Sequence, residues 1–351
     1  MKYLNKQCIS LAFLSILLIL QNSYANYDPR GEARFSLGIE SGVSSDKVLM
    51  NYKDDTEILI DGLNHTSLVE KSWNGMYVWK NKVRLNVPLF KIGTGNLILQ
   101  GSGAYGDNMS GNYKITERFD PVDKEAAGYE YKYNRYEFGD IDYKSYDFSV
   151  NLAYQIPITP DGRKNRDYYI FTRKVHSFLL PKIGYSNFTQ DHSISGFYDL
   201  GSMQNYSDNY RSSWNGPFIG FENVNYIAEN HKVSFGGNLY YINYELGADA
   251  QSGEAFAKSV GITDDSYDAF TLRTKNSMQG NATGSGYSLD ARYSYQPGNH
   301  VAYGVNANYS STRIKGGDSI YHYKDGSTRE DSINEASWDS FFLSLGITYN
   351  F

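Results

Sequence analysis

The last ten residues of the chain, FLSLGITYNF, alternate in polarity up to a terminal aromatic, Phe351. Successive side chains of an extended strand point to opposite faces. Leu343, Leu345, Ile347, Tyr349 and Phe351 therefore share one apolar face, while Ser344, Gly346, Thr348 and Asn350 share a small, polar one. Such a division suits a strand with lipid on one side and an aqueous lumen on the other. A strand of a soluble sandwich alternates too, so the other end of the chain has to be weighed with this one.

Residues 1–25 read as a secretory signal: Lys2 and Lys6 form a positive start, 9–20 is a continuous apolar run, and Ser23-Tyr24-Ala25 has the small-x-small form expected before cleavage. The run is too short to cross a bilayer as a helix. Cys8, the one cysteine, lies inside it, so the chain from residue 26 onward has no disulfide. Losing Lys2 and Lys6 takes the formal charge from -6 to -8.

Aromatic residues make up 16% of the chain, led by 33 Tyr, beside 33 Gly and only 8 Pro. Lipid-facing apolar positions that alternate with polar lumen positions, with tyrosine girdles at both interfaces, produce this balance. No later segment reaches the roughly twenty apolar residues of a spanning helix. Alternating runs predict strands near 34–42, 68–89, 96–105, 148–156, 175–195, 216–226, 232–246, 287–295, 301–310 and 342–351. Short Gly, Pro and Asn turns at 91–95, 157–167, 228–231 and 296–299 separate them from long polar outer stretches at 43–65, 106–130, 198–209, 247–266 and 315–337. The expected fold is all-β: residues 26–351 as a single closed antiparallel transmembrane barrel of about ten strands with five extracellular loops.

The order of blocks resembles the omptin family of outer-membrane proteases, which are ten-stranded barrels. The resemblance rests on Phe35-Ser-Leu-Gly-Ile39, Gly106-Asp-Asn-Met109, Lys182-Ile-Gly-Tyr185, Gly216-Pro-Phe-Ile-Gly220, Phe235-Gly-Gly237 and the terminal strand. It also brings in, as a kin group, the omptin-like porins of chlamydia-related bacteria. Omptins activate water between two aspartates of the second loop and an Asp-x-His of the fourth. The resemblance puts Gly111 and Tyr113 at the first pair of positions and Gln251 and Gly253 at the second. None of these is a general base at neutral pH, and there is no histidine from 232 to 299 to take over. The family's lipid A clamp falls on Asn187, Thr189 and Ser213, with Arg211 nearby as a partial substitute.

Little other chemistry is visible. Asp140 and Asp142 share one face of a strand near the outer rim, a weak cation or ligand site or a solvated acidic rim. Asp191 and His192 are adjacent, and so point to opposite faces. The histidines are too scattered for a metal site, no cofactor motif appears, and no basic tract points to nucleic acid. The predicted lumen face of the last two strands is small throughout: Ala302, Gly304, Asn306, Asn308 and Ser310, then Ser344, Gly346, Thr348 and Asn350. These residues leave either a narrow wet passage or room for long side chains from the opposite wall, such as Arg292. The expectation is a non-proteolytic outer-membrane barrel, a narrow porin or a structural, surface-binding barrel. The alternatives are an endopeptidase with a displaced site on Asp140, Asp142 or His192, or an adhesin. Expected partners are outer-membrane lipid including lipopolysaccharide, the barrel assembly machinery through Phe351, and a small solute or surface ligand.

Overall fold

The structure is a computed structural model and describes residues 34–60, 63–121, 133–158, 168–170, 173–198, 205–228, 230–249, 278–298 and 300–351. The expected signal segment, 1–25, lies outside the described residues. Twelve strands follow in chain order: β1 Ser36–Ile60, β2 Leu63–Ile92, β3 Gly95–Pro121, β4 Tyr133–Ile158, β5 Tyr168–Ile170, β6 Arg173–Tyr198, β7 Asn205–Ala228, β8 His231–Asp249, β9 Met278–Tyr295, β10 Val301–Lys315, β11 Asp318–His322 and β12 Thr328–Asn350. Ten of them, all but β5 and β11, pair antiparallel in sequence order, and β1 pairs with β12 from Ser36↔Asn350 to Lys53↔Ser332 to close the ring. The short β11 pairs with both β9 and β12, so it continues the wall above the end of β10 and makes eleven strands in the closed sheet. Among the described residues, β5 pairs only with β6. Closure leaves the ten long strands no free edge.

Short turns gather at the rim that holds Arg34 and Phe351. One is the β2–β3 hairpin, where Gly93 has φ 58°, a left-handed conformation that glycine adopts without strain. Short turns mark the periplasmic rim of an outer-membrane barrel. Above it, every long strand presents apolar side chains outward: Leu345 is 68% exposed, Ile183 61% and Ile39 60%. Tyr349 and Phe351 meet edge-to-face at the lower margin of this band, and Tyr105–Tyr146 and Tyr287–Tyr309 pair at its upper margin. Aromatic girdles of this kind bound the lipid layer.

Only about ten residues of a tilted strand cross the membrane, yet β2 has 30 and β3 has 27. The excess rises above the outer girdle, and there the alternation changes phase. On β4, Phe148, Val150 and Leu152 point out while Asp147, Ser149 and Asn151 point in; three residues above Tyr146 the pattern inverts, with Asp140, Asp142 and Lys144 outside and Ile141 and Tyr143 buried inside. β1 inverts likewise, from outward Ile39 and Val43 to inward Val48 and Met50. This corrects the reading of 43–65, 106–130 and 315–337 as loops. β1 runs to Ile60, β3 to Pro121, and β11 with the start of β12 occupies the third stretch.

Candidate functional site

The phase change divides the barrel interior into two compartments. The lower one, inside the lipid band, is a polar chamber of about 970 Å³ that extends to the periplasmic rim at Asn230, Gln296 and Asn350. Strand β2 contributes Lys80, Lys82 and Arg84 from successive inward positions; Lys182, Lys232, Arg292 and, at the rim, Arg34 complete seven cationic side chains. They face four carboxylates, Glu40, Asp147, Glu222 and Asp290. Glu40 holds Arg84 from the neighbouring strand at 2.7 Å and Arg292 from β9, across the lumen, at 3.3 Å. A side chain at Gly346 would press on Glu40, since a Cβ there would lie 2.8 Å from its Cγ. Lys80 pairs with Asp147 at 3.1 Å and Lys182 with Glu222 at 3.5 Å. Asn308 donates to Asp290 at 2.9 Å.

The chamber is roofed by aromatic side chains. Phe188 of β6 stacks on Trp338 of β12 at 3.7 Å between centroids, and these two strands stand five places apart in a ring of ten, so the contact joins opposite walls. The Lys80 ammonium lies beneath, 5.4 Å from the Phe188 ring and 5.8 Å from that of Phe342. Above the roof is an apolar plug formed by the walls themselves. Met50, Trp73, Met76, Tyr143, Ile194, Trp214, Tyr244, Met278, Ile314 and Ile333 are all fully buried there. Burying each large apolar side chain contributes roughly 1.5–3 kcal/mol.

A chain of buried hydrogen bonds crosses the plug. Ser212 and Trp214 donate to Gln190 Oε1 at 2.9 and 3.1 Å, Gln190 donates to Tyr143 Oη at 3.0 Å, and Tyr143 donates to Asp46 Oδ2 at 2.8 Å. Ser340 donates to the other Asp46 oxygen at 2.6 Å. His192 sits between the rings of Trp73 and Tyr143, at 5.4 and 5.0 Å, with neither ring nitrogen hydrogen-bonded among the described residues. Its outward neighbour Asp191 pairs with Arg211 at 3.4 Å, which sets this level of the wall above the lipid. Burial pushes the His192 pKa down to about 3.

The residues singled out from sequence fall in both compartments and outside them. Ala302, Gly304, Asn306, Asn308, Ser310, Gly346, Thr348 and Asn350 line the chamber, and Ser344 is buried beside it. Gly111 and Tyr113 lie on β3 in the plug: Tyr113 is buried, and a Cβ at Gly111 would come within 2.6 Å of Ile141 Cγ2. An aspartate at 111 would therefore displace the plug. Gln251 and Gly253 lie outside the described residues. Asp140 and Asp142 are exposed on the outer face, away from the lumen, and the described residues hold no group of three or more potential metal ligands. At the lipid A positions, Thr189 donates to Asn187 at 3.0 Å. The plug itself was missed, although its signal, an alternation of opposite phase, stands in the sequence.

A family model described as Pom, Protochlamydia outer membrane protein, matches residues 39–351. Among solved structures, the outer membrane protease OmpT from Escherichia coli superposes with a TM-score of 0.56 at 12% identity, over 94% of this chain and 99% of that one; at this identity the likeness concerns the fold alone. OprG from Pseudomonas aeruginosa aligns over 92% of this chain and 99% of its own at 10% identity, with a TM-score of 0.28. No curated protein matches.

Proposed function

This chain belongs to the Pom family of outer-membrane proteins, and from that premise we propose that it is a narrow, non-proteolytic solute pore of the bacterial outer membrane, closed at rest by its own side chains. The observation that carries the reading is the chamber. Ionised side chains are costly at membrane depth and, where they line a wet cavity, mark solute pathways. Six cations and four carboxylates at lipid level, with Arg34 at the rim, are more than a barrel needs for closure. An apolar constriction above such a vestibule gates by excluding water.

The absence of peptidase activity is supported by Gly111 and Tyr113, which offer no carboxylate and sit within the plug. Recognition of Phe351 by assembly machinery and contact of the outer face with lipopolysaccharide belong to the same reading. Planar-bilayer recording of the refolded chain, with a peptide-cleavage assay on the same preparation, tests it. Discrete conductance steps without cleavage are expected; cleavage that vanishes in Asp140→Ala, Asp142→Ala or His192→Ala variants would replace the pore with a displaced peptidase.

The Phe188–Trp338 contact across the full lumen favours a second reading, a permanently plugged barrel that acts through surface binding. Silence both in the wild type and in a variant lacking that contact would select it.

A further inference from the structure

We infer that the plug is an acid-opened gate whose proton sensor is His192 of β6. The inference rests on the pore reading and goes beyond it, since it names what opens the passage. Its first ground is the packing of the imidazole. His192 is 3% exposed, lies between the rings of Trp73 on β2 and Tyr143 on β4, and stands opposite Tyr210 of β7 in the strand register. Neither ring nitrogen has a hydrogen-bond partner among the described residues. Buried polar side chains are ordinarily paired. An imidazole left bare among apolar side chains is tolerated only while it is neutral, and burial accordingly pushes its pKa down to about 3.

A second ground is what surrounds the ring. The titratable groups that face it are Tyr143 of β4, with Asp46 of β1 behind it, and Tyr210 and Asp208 of β7, with Lys71 of β2 beside them. Tyr143 Oη donates to Asp46 and accepts from Gln190. Tyr210 Oη donates to Asp208 at 3.3 Å and accepts from Lys71 at 3.3 Å. Both phenol oxygens are thus engaged, and Trp73 Nε1, also without a partner among the described residues, is itself a donor. An imidazolium would carry two N–H donors here with no acceptor in place, and would add its charge to that of Lys71. The third ground is position. Phe188, Gln190 and His192 are successive inward residues of β6, so the roof contact, the hub of the buried hydrogen-bond chain and the imidazole share one face. Hydrating the ring parts the face that closes the lumen. In the open plug a wet ring titrates near pH 6.5, so closure is at full strength above that pH and weakens as pH falls towards 3.

Two measurements on the refolded barrel test this. In planar bilayers the ratio of open to closed time in the wild type should rise about fourfold at pH 6 and about thirtyfold at pH 5, relative to pH 7.5. It should stay flat in His192→Phe, which keeps a ring between Trp73 and Tyr143 without a site for the proton; His192→Met serves if the phenylalanine prevents folding. The second readout needs no conduction. It is acrylamide quenching of tryptophan fluorescence in a Trp79→Phe background, where the remaining Trp73, Trp214 and Trp338 all belong to the plug or its roof. Quenching should increase from pH 7.5 to pH 5, and the increase should vanish when His192→Phe is added. Steps with the same open time at all three pH values would overturn the inference and leave the pore standing. Silent bilayers with acid-dependent quenching that His192→Phe abolishes would remove the pore and keep the acid-opened plug. The same pH response with and without His192, or no response in either readout, would also overturn the inference.

Discussion

At Asp46 a single carboxylate ties together walls that are distant in sequence. It accepts from Tyr143 on β4 and Ser340 on β12 while its own backbone belongs to β1. Tyr143→Phe removes the donor from Asp46 and the acceptor from Gln190, so the loss is that of buried groups left unpaired, about 1–3 kcal/mol. Urea unfolding in lipid vesicles measures it. Ser340 still serves Asp46, and the closed ring should persist. His192, at 3% exposed, makes a different prediction. The closed plug holds it neutral, with a pKa near 3, whereas an exposed imidazole takes up a proton near pH 6.5. Opening the plug therefore binds a proton anywhere between these values. The stability tied to the neutral ring is complete above about pH 6.5 and falls as pH drops towards 3, by about 2 kcal/mol at pH 5. Unfolding at pH 7.5 and pH 5 should show that loss in the wild type and its absence in His192→Phe; the same pH dependence in both would refute it.

On the scale of the strand, the barrel's lower half was legible and its upper half was not. Leu343, Leu345, Ile347 and Tyr349 advertise a lipid face because nothing else explains apolar residues at every second position beside Ser344 and Gly346. The small lumen residues from Ala302 to Ser310 were legible for the same reason. Above the girdle, Asp140-Ile141-Asp142-Tyr143-Lys144 alternates equally well, but with charge outside, and a charged alternation resembles a solvated loop. Whether its apolar half points into a lumen depends on partners far along the chain. Tyr244 donating to Met50 Sδ at 3.5 Å and Lys71 to Tyr210 at 3.3 Å are contacts no local pattern announces. The charge surplus escaped for a similar reason: Lys82, Lys232 and Arg292 are ordinary singly and meet only when the ring closes. Cysteine scanning on a Cys8→Ser background checks the phase change strand by strand. Lys47→Cys and Thr348→Cys should react with a small water-soluble thiol reagent, from outside and through the chamber respectively. Val48→Cys should stay protected until unfolding, and reaction of Val48→Cys in the folded barrel would contradict the plug.

As a whole, the molecule is one closed wall doing two jobs at two heights. Within the lipid its inward face is wet and charged; above the lipid the same strands turn their apolar side chains inward and close over the chamber. An omptin-like fold thus has its outer half filled by side chains, and Tyr113, at a position where the omptin resemblance expects an acid, is one of them. At the junction between the two heights Phe188 meets Trp338 across the lumen. Truncating either aromatic leaves a space continuous with the chamber, at a cost of about 3–5 kcal/mol. The most direct measurement is single-channel recording of the wild type beside Phe188→Ala with Trp338→Ala, both shown to be folded by heat-modifiable mobility. Small, infrequent openings are expected in the wild type and longer, larger steps in the variant. A wide, steadily open wild type, or two proteins with indistinguishable steps, would contradict the claim that this contact closes the barrel.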